Sequence, residues 1–258
     1  MVGSNMAGDE KLKLLVIGKS AKPRCFKGIQ SLPVDYFNNK NSWMTGELFQ
    51  KWIIKEDQKF LRQGRKVLFF LDNCQAHPPM VQIYLKAIKL KFFPPNTTTI
   101  LQPMDQGVIQ NLKVYYRHRF LQRVLEAMDQ GREYKSNLLD AITDVYKAWC
   151  VDVKTSTIRN CFNKAGFGAF DNWSDEDSVP LSTIRTLIIE NNSNFNRVLP
   201  SDDYPLTFDD YVAVDANVAT MEIPSDETIL NVITSEDEES ESSDDNAEIE
   251  FIRKKTQR

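Results

Sequence analysis

The sequence predicts an α/β fold, and three observations lead there. Apolar runs too short for helices occur at 12–18 and 67–71, helical periodicity covers 45–63 and 109–128, and the two kinds of segment alternate along the chain. "LKLLVIG" (12–18) is β-branched, ends at Gly18, and reads as a buried strand followed by the loop "KSAKPRCFKG". From Thr45 to Gln63, the residues Leu48, Phe49, Trp52, Ile53 and Phe60 recur at helical spacing, with Thr45 as N-cap and Gly64 as the stop. "VLFFL" (67–71) reads as a second strand. "PPMVQIYLKAI" suits a short helix starting on Pro79, and "LKFFPP" a third strand closed by two prolines. Ile109, Leu112, Tyr116, Phe120, Val124 and Met128 then mark a long helix that packs this stripe on the sheet. Lys113 with Arg117, and Arg119 with Arg123, flank the stripe one turn apart. Leu138, Ile142, Val145 and Trp149 mark a further helix, and Ser156–Ala165, stopped by Gly166, a shorter one.

The chain has 258 residues and is 41% hydrophobic, enough for a sizeable core. Its charge is divided: residues 1–170 hold 26 Lys and Arg against 14 Asp and Glu, net +12, and residues 171–258 hold 6 against 22, net −16. A basic body suits a polyanion, because neutralised phosphates release counterions and give sequence-independent affinity for nucleic acid. A solvated, lysine-rich surface is the other reading. Cys25, Cys74, Cys150 and Cys161 show neither zinc-type spacing nor the density of a secreted scaffold, so reduced thiols are expected. No apolar run reaches the roughly 18 residues of a membrane span, and the expectation is a soluble protein with no membrane partner. After Trp173 the composition turns acidic. "TSEDEESESSDDNAEIE" (234–250) is low-complexity and expected to be disordered, with Ser235, Ser240, Ser242 and Ser243 as candidate phosphorylation positions.

Two acids stand where chemistry can gather. Asp72 follows the second strand and Asp105 precedes the long helix, so both fall on the rim of an α/β sheet. Converging carboxylates suit Mg²⁺, and a pair of such ions can hold the attacking and leaving oxygens of a phosphodiester. A turn residue and a helix cap are the structural alternatives. His77 reads as a loop histidine satisfied by backbone, with a bridge to Asp72 or to phosphate as the alternative. His118 reads as solvated and Cys74 as an inert buried thiol. The glycines are scattered and form no phosphate loop.

"LVIGKSAKPRCFKGIQSLPVDYFNNKNSWMTGELF", "LFFLDNCQAHPP", "FFPPNTTTILQPMDQGVIQNLKVYYRHR" and "TIRNCFNKAGF" resemble, in that order, the DDE-superfamily endonuclease domain of pogo/Tigger/jerky-type transposases. The resemblance covers 9–170 and implies an RNase H-like fold, a mixed sheet with flanking helices, in which three acids bind two Mg²⁺ or Mn²⁺ ions. It assigns the second acid, in the "LDN" block, to Asp72, and the third, in the "QPMDQG" block, to Asp105. In the family the first acid lies upstream of "EKLKLLVIGKS". The expectation is therefore a truncated domain without that acid, its strand, the neighbouring strand or the preceding helix-turn-helix modules, and Asp9 is a poor substitute. Such a sheet exposes an edge and an apolar face for a protein partner or oligomer to cover.

The resulting expectation is a nuclear, transposon-derived DNA-binding protein with an incomplete nuclease domain. Lys19, Lys22, Arg24, Lys27, Lys113, Arg117, Arg119 and Arg123 are its candidate phosphate contacts. One alternative is an active endonuclease that takes its first acid from an upstream segment or a partner. Another is an interaction scaffold acting through its acidic tail, with 171–233 as an irregular extension and 234–258 as a disordered tail ending in the basic "RKKTQR".

Overall fold

The first strand is not entered from an open end. In the computed structural model, which describes residues 1–95, 97–168, 210 and 213, Met1–Asn5 folds back antiparallel on Glu10–Leu15. Leu12 N–H donates to Gly3 O at 2.8 Å and Asn5 N–H to Glu10 O at 2.9 Å. The turn between them docks on the last helix at Gly8. There φ is +77° and a Cβ would lie 2.6 Å from Thr155 O, so only glycine fits. A paired segment thus runs beside residues 10–15.

Strand β1 (Leu15–Gly18) pairs in parallel with β2 (Asp35–Asn38), Leu15 opposite Asp35 and Gly18 opposite Asn38. Sequence patterning missed β2, because the two strand-forming residues Tyr36 and Phe37 lie between Asp35 and Asn38, which are depleted in strands. Helix α1 (Gly46–Arg62) starts and stops where its signals predict. Thr45 Oγ1 accepts from Leu48 N–H at 3.3 Å, and Gly64, at φ +68°, reverses the chain so that Arg65 N–H reaches Phe60 O at 3.0 Å. Strands β3 (Val67–Leu71) and β4 (Ile88–Phe92) form a second parallel pair. The 3₁₀ turn Pro79–Tyr84 lies in the crossover between them. The two pairs share no hydrogen bonds, so two two-stranded parallel sheets stand where one mixed sheet is expected. One core joins them: Leu15 packs with Phe49, Trp52, Ile53 and Phe60 of α1 and with Ile88 and Leu90 of β4.

"VLFFL" is buried on one face only. Phe69 turns to the core, whereas Leu68 is 48% exposed and Phe70 44%, because alternation sends them to the uncovered side. Phe70 meets other rings there, Phe93 at 5.7 Å and Phe167 at 4.9 Å.

Beyond α2 (Thr98–Leu101), a π turn at Met104–Val108 carries Gly107 at φ 144° and leads into α3 (Ile109–Asp129). Helices α4 (Leu138–Lys147) and α5 (Thr155–Lys164) follow, α4 capped by Asn137 Oδ1 on Leu139 and Asp140 N–H. A second core of Val108, Leu112, Ile142, Trp149, Val153 and Ile158 holds these helices against Leu14 and Val34. Trp149 Nε1 donates to Leu12 O at 3.0 Å. The apolar stripe expected on α3 is displaced. Asn111, Leu112, Val114, Leu121 and Ala127 are the buried positions and Met128 is 40% exposed, because α3 lies mainly along α4 and the turn after it, not along a sheet. No helix among the described residues is long and apolar enough to cross a membrane. Apart from residues 210 and 213, the expected acidic extension and tail lie outside the described residues.

Candidate metal centre and nucleic-acid interface

Asp72 is the residue that follows β3, and the crossover turns at once. His77 N–H donates to Cys74 O at 3.0 Å, and this turn swings the imidazole back toward the strand end. Its Nδ1 lies 2.5 Å from Asp72 Oδ1 and 3.3 Å from Cys74 Sγ, and the ring packs on Phe49 with centroids 4.4 Å apart. His77 is therefore a bridge to Asp72, not a histidine satisfied by backbone alone. Asp72 Oδ1 is buried and, beyond this ion-pair contact, accepts no well-aligned hydrogen bond, while the side chain as a whole is 44% exposed.

Electrostatics tie Asp105 to the same place. His77 holds the Asp72 carboxyl below the ordinary carboxylate range, against the opposing effect of burial. Asp105 is pushed up, first by partial desolvation and then by the charge of Asp72. The two acids assigned from distant blocks of sequence thus feel one another across the rim. Burial raises the Cys74 thiol as well, which keeps it protonated at neutral pH and fits the expectation of an unreactive thiol. His118, expected to be solvated, is half-buried, and burial lowers its pKa. Asp72 and Asp105 offer carboxylate oxygens, the donor type a hard divalent cation such as Mg²⁺ takes, while the three-donor group found at Asp72 among the described residues joins it to Cys74 and His77.

The candidate phosphate contacts separate into two groups. Lys19, Lys22, Arg24 and Lys27 are all exposed on the loop after β1 and carry no ion pair among the described residues. Arg119 instead grips Asp152 with Nε and Nη2 at 2.6 and 2.9 Å. Arg123 reaches Asp144 at 2.8 Å and Asp140 at 3.4 Å. Lys113 and Arg117 are half-buried, the Arg117 guanidinium 5.7 Å from the Tyr116 ring centre. A cavity of 540 Å³ lined by Arg119, Arg123, Tyr134 and Asp144 lies between α3 and α4 and includes neither Asp72 nor Asp105. Sequence reasoning missed one buried acid that shapes the crossover. Asp57 accepts from Ala87 and Ile88 N–H, each at 2.7 Å, and fixes the start of β4. Its signal was an acid on the apolar face of α1.

Comparison with known proteins places this α/β body in a family. The chain belongs to the DDE superfamily endonucleases, whose family model matches residues 1–162, and within them to the pogo/Tigger type. It is 44% identical over 166 residues to the mouse Tigger transposable element-derived protein 4, covering 64% of this chain and 32% of that protein. It is 34% identical over 168 residues to the mouse major centromere autoantigen B (64% and 27%), and 32% identical over 155 residues to the human jerky protein homolog (57% and 27%). The chain thus spans about a third or less of the length of these relatives. No solved structure matches it. Domains of this superfamily are generally metal-dependent.

Proposed function

We propose that this chain is a transposon-derived, nuclear DNA-binding protein, built on an RNase H-like DDE domain, that does not cut DNA by itself. The observation that carries the reading is the loop Lys19–Lys27. Its four cations are exposed and without ion pairs among the described residues, in a body of net +12 over residues 1–170. Such cations exchange bound counterions for phosphates, which gives affinity without sequence preference and a steep dependence on salt. A curated relative named as an ARS-binding protein supports the direction of the reading. Asp72 and Asp105 would hold the metal, whose role when bound is to polarise phosphate oxygens. Among the described residues the three-donor group at Asp72 is completed by Cys74 and His77, not by further carboxylates, and Asp72 is already engaged by His77, so productive placement of two ions by these residues alone is not expected. The test is fluorescence anisotropy with a short duplex over a salt series. Affinity at low salt no greater than that of a neutral control protein would sink the proposal.

A second reading, metal-dependent strand cleavage completed by an acid from elsewhere, is favoured by the coupling of Asp105 to Asp72. Supercoiled DNA nicked in Mg²⁺ or Mn²⁺, with the activity lost in both Asp72→Ala and Asp105→Ala, would establish it.

A further inference from the structure

The loop after β3 brings together three donors of different chemistry. One atom each from Asp72, Cys74 and His77 lie within 4.8 Å of one another, an oxygen, a sulfur and a nitrogen. Mg²⁺ takes oxygen ligands almost alone, whereas thiolate with imidazole selects a borderline-soft ion. We infer that Asp72, Cys74 and His77 form a site for a Zn²⁺-type cation, which shares only Asp72 with the hard-cation pair Asp72 and Asp105 and is independent of DNA binding.

The geometry needs little movement. Tetrahedral Zn²⁺ with bonds of about 2.0–2.3 Å sets its donors about 3.4–3.6 Å apart. Cys74 Sγ and His77 Nδ1 already stand at 3.3 Å. The 2.5 Å contact of Nδ1 with Asp72 Oδ1 opens by about 1 Å when the cation replaces the proton shared there. Phe49 fixes the imidazole plane, the His77 N–H to Cys74 O bond fixes the turn, and the exposed side of Asp72 leaves a fourth position to water. Binding releases the proton of the Cys74 thiol, so affinity rises with pH. Because Asp72 belongs to both donor sets, a Zn²⁺-type ion in this loop, held also by sulfur and nitrogen that Mg²⁺ does not take, withholds that carboxylate from Mg²⁺.

Co²⁺ added at one equivalent to the purified full chain is the probe. The expected result is a sulfur-to-Co²⁺ charge-transfer band in the near ultraviolet that Zn²⁺ removes and excess Mg²⁺ does not. Cys74→Ser abolishes the band and His77→Asn weakens Co²⁺ binding by at least tenfold, about the least that loss of an outer-shell partner costs. Cys25→Ser, Cys150→Ser, Cys161→Ser and Asp105→Asn keep the band, and the last of these separates this site from the hard-cation reading. Without any variant, Zn²⁺ is expected to protect Cys74 from alkylation, read by mass spectrometry. Absence of the band in folded protein, its survival in Cys74→Ser, its displacement by Mg²⁺, or alkylation of Cys74 indifferent to Zn²⁺ each overturns the inference.

Discussion

Two sets of cations in one basic body meet opposite fates. Lys19, Lys22, Arg24 and Lys27 stand exposed where the chain leaves β1, while Arg119 and Arg123 are closed onto Asp152, Asp144 and Asp140. The difference comes from what packs alongside. Helix α3 runs against α4 and the turn after it, and those elements present acids at 140, 144 and 152. A charge tally counts cations, and packing decides how many remain for a ligand. The salt dependence of DNA binding should therefore follow the loop, and stability should follow the helix pairs.

The largest expected effect comes from replacing Lys19, Lys22, Arg24 and Lys27 together with alanine. Each lost phosphate contact removes about 0.9 from the slope of log affinity against log salt, so the slope shrinks by about 3–4 and low-salt affinity falls on the order of 10²–10³-fold. Thermal stability should move by no more than about 0.5 kcal/mol, as for exposed surface substitutions. An unchanged slope, measured by anisotropy across a salt series, removes the loop from the interface.

The reverse pattern is expected for Arg123→Met. The variant leaves Asp144 buried and without its principal cation, a loss of roughly 2–3 kcal/mol at neutral pH, because Arg123 is itself partly solvated. The pH dependence has a definite sign. Burial raises the Asp144 carboxyl above its ordinary value even with Arg123 and Arg119 nearby. The ionised form is therefore the costly one, and the deficit should shrink as pH falls through the raised folded value. Urea unfolding at neutral pH and at about pH 4 reads this directly. A deficit of equal size at both would mean that lost packing of the arginine stem, not an uncompensated charge, is responsible.

How much of this was legible in the sequence depended on whether the deciding signal was local. Thr45 and Gly64 set the ends of α1 through their own backbone and side-chain chemistry, and both were read correctly. The run "VLFFL" named a strand but not its exposed face, because which side is covered depends on α1 and on what else meets the sheet. The α3 stripe was displaced for the same reason: several helical faces are apolar enough, and α4 selects one. At the rim, Asp72 and Asp105 were found as family positions 33 residues apart, and their coupling follows from the fold. The His77 bridge was within reach of a local reading, since "DNCQAH" holds its three donors in six residues. The turn that brings them together is set by the Cys74 carbonyl, which no side-chain pattern reveals.

The acids divide as the cations do, and the smallest expected effect tests that division. Asp144 is matched to arginine, whereas Asp105 faces the charge of Asp72. Since the folded value of Asp105 is raised, its stabilising contribution is present below the ordinary carboxylate range and lost as pH rises through the folded value. Asp105→Asn is therefore expected to stabilise the protein at neutral pH, by under about 0.5 kcal/mol because the side chain is exposed and its repulsion screened. The gain should vanish at about pH 3, where both carboxyls are largely protonated, and should shrink in an Asp72→Asn background. Mg²⁺ reverses the order: an ion held between the two acids stabilises the unsubstituted chain and not the variant, so thermal melts with and without Mg²⁺ should cross. Melts that stay parallel would leave the two acids as neighbours that repel without sharing a cation.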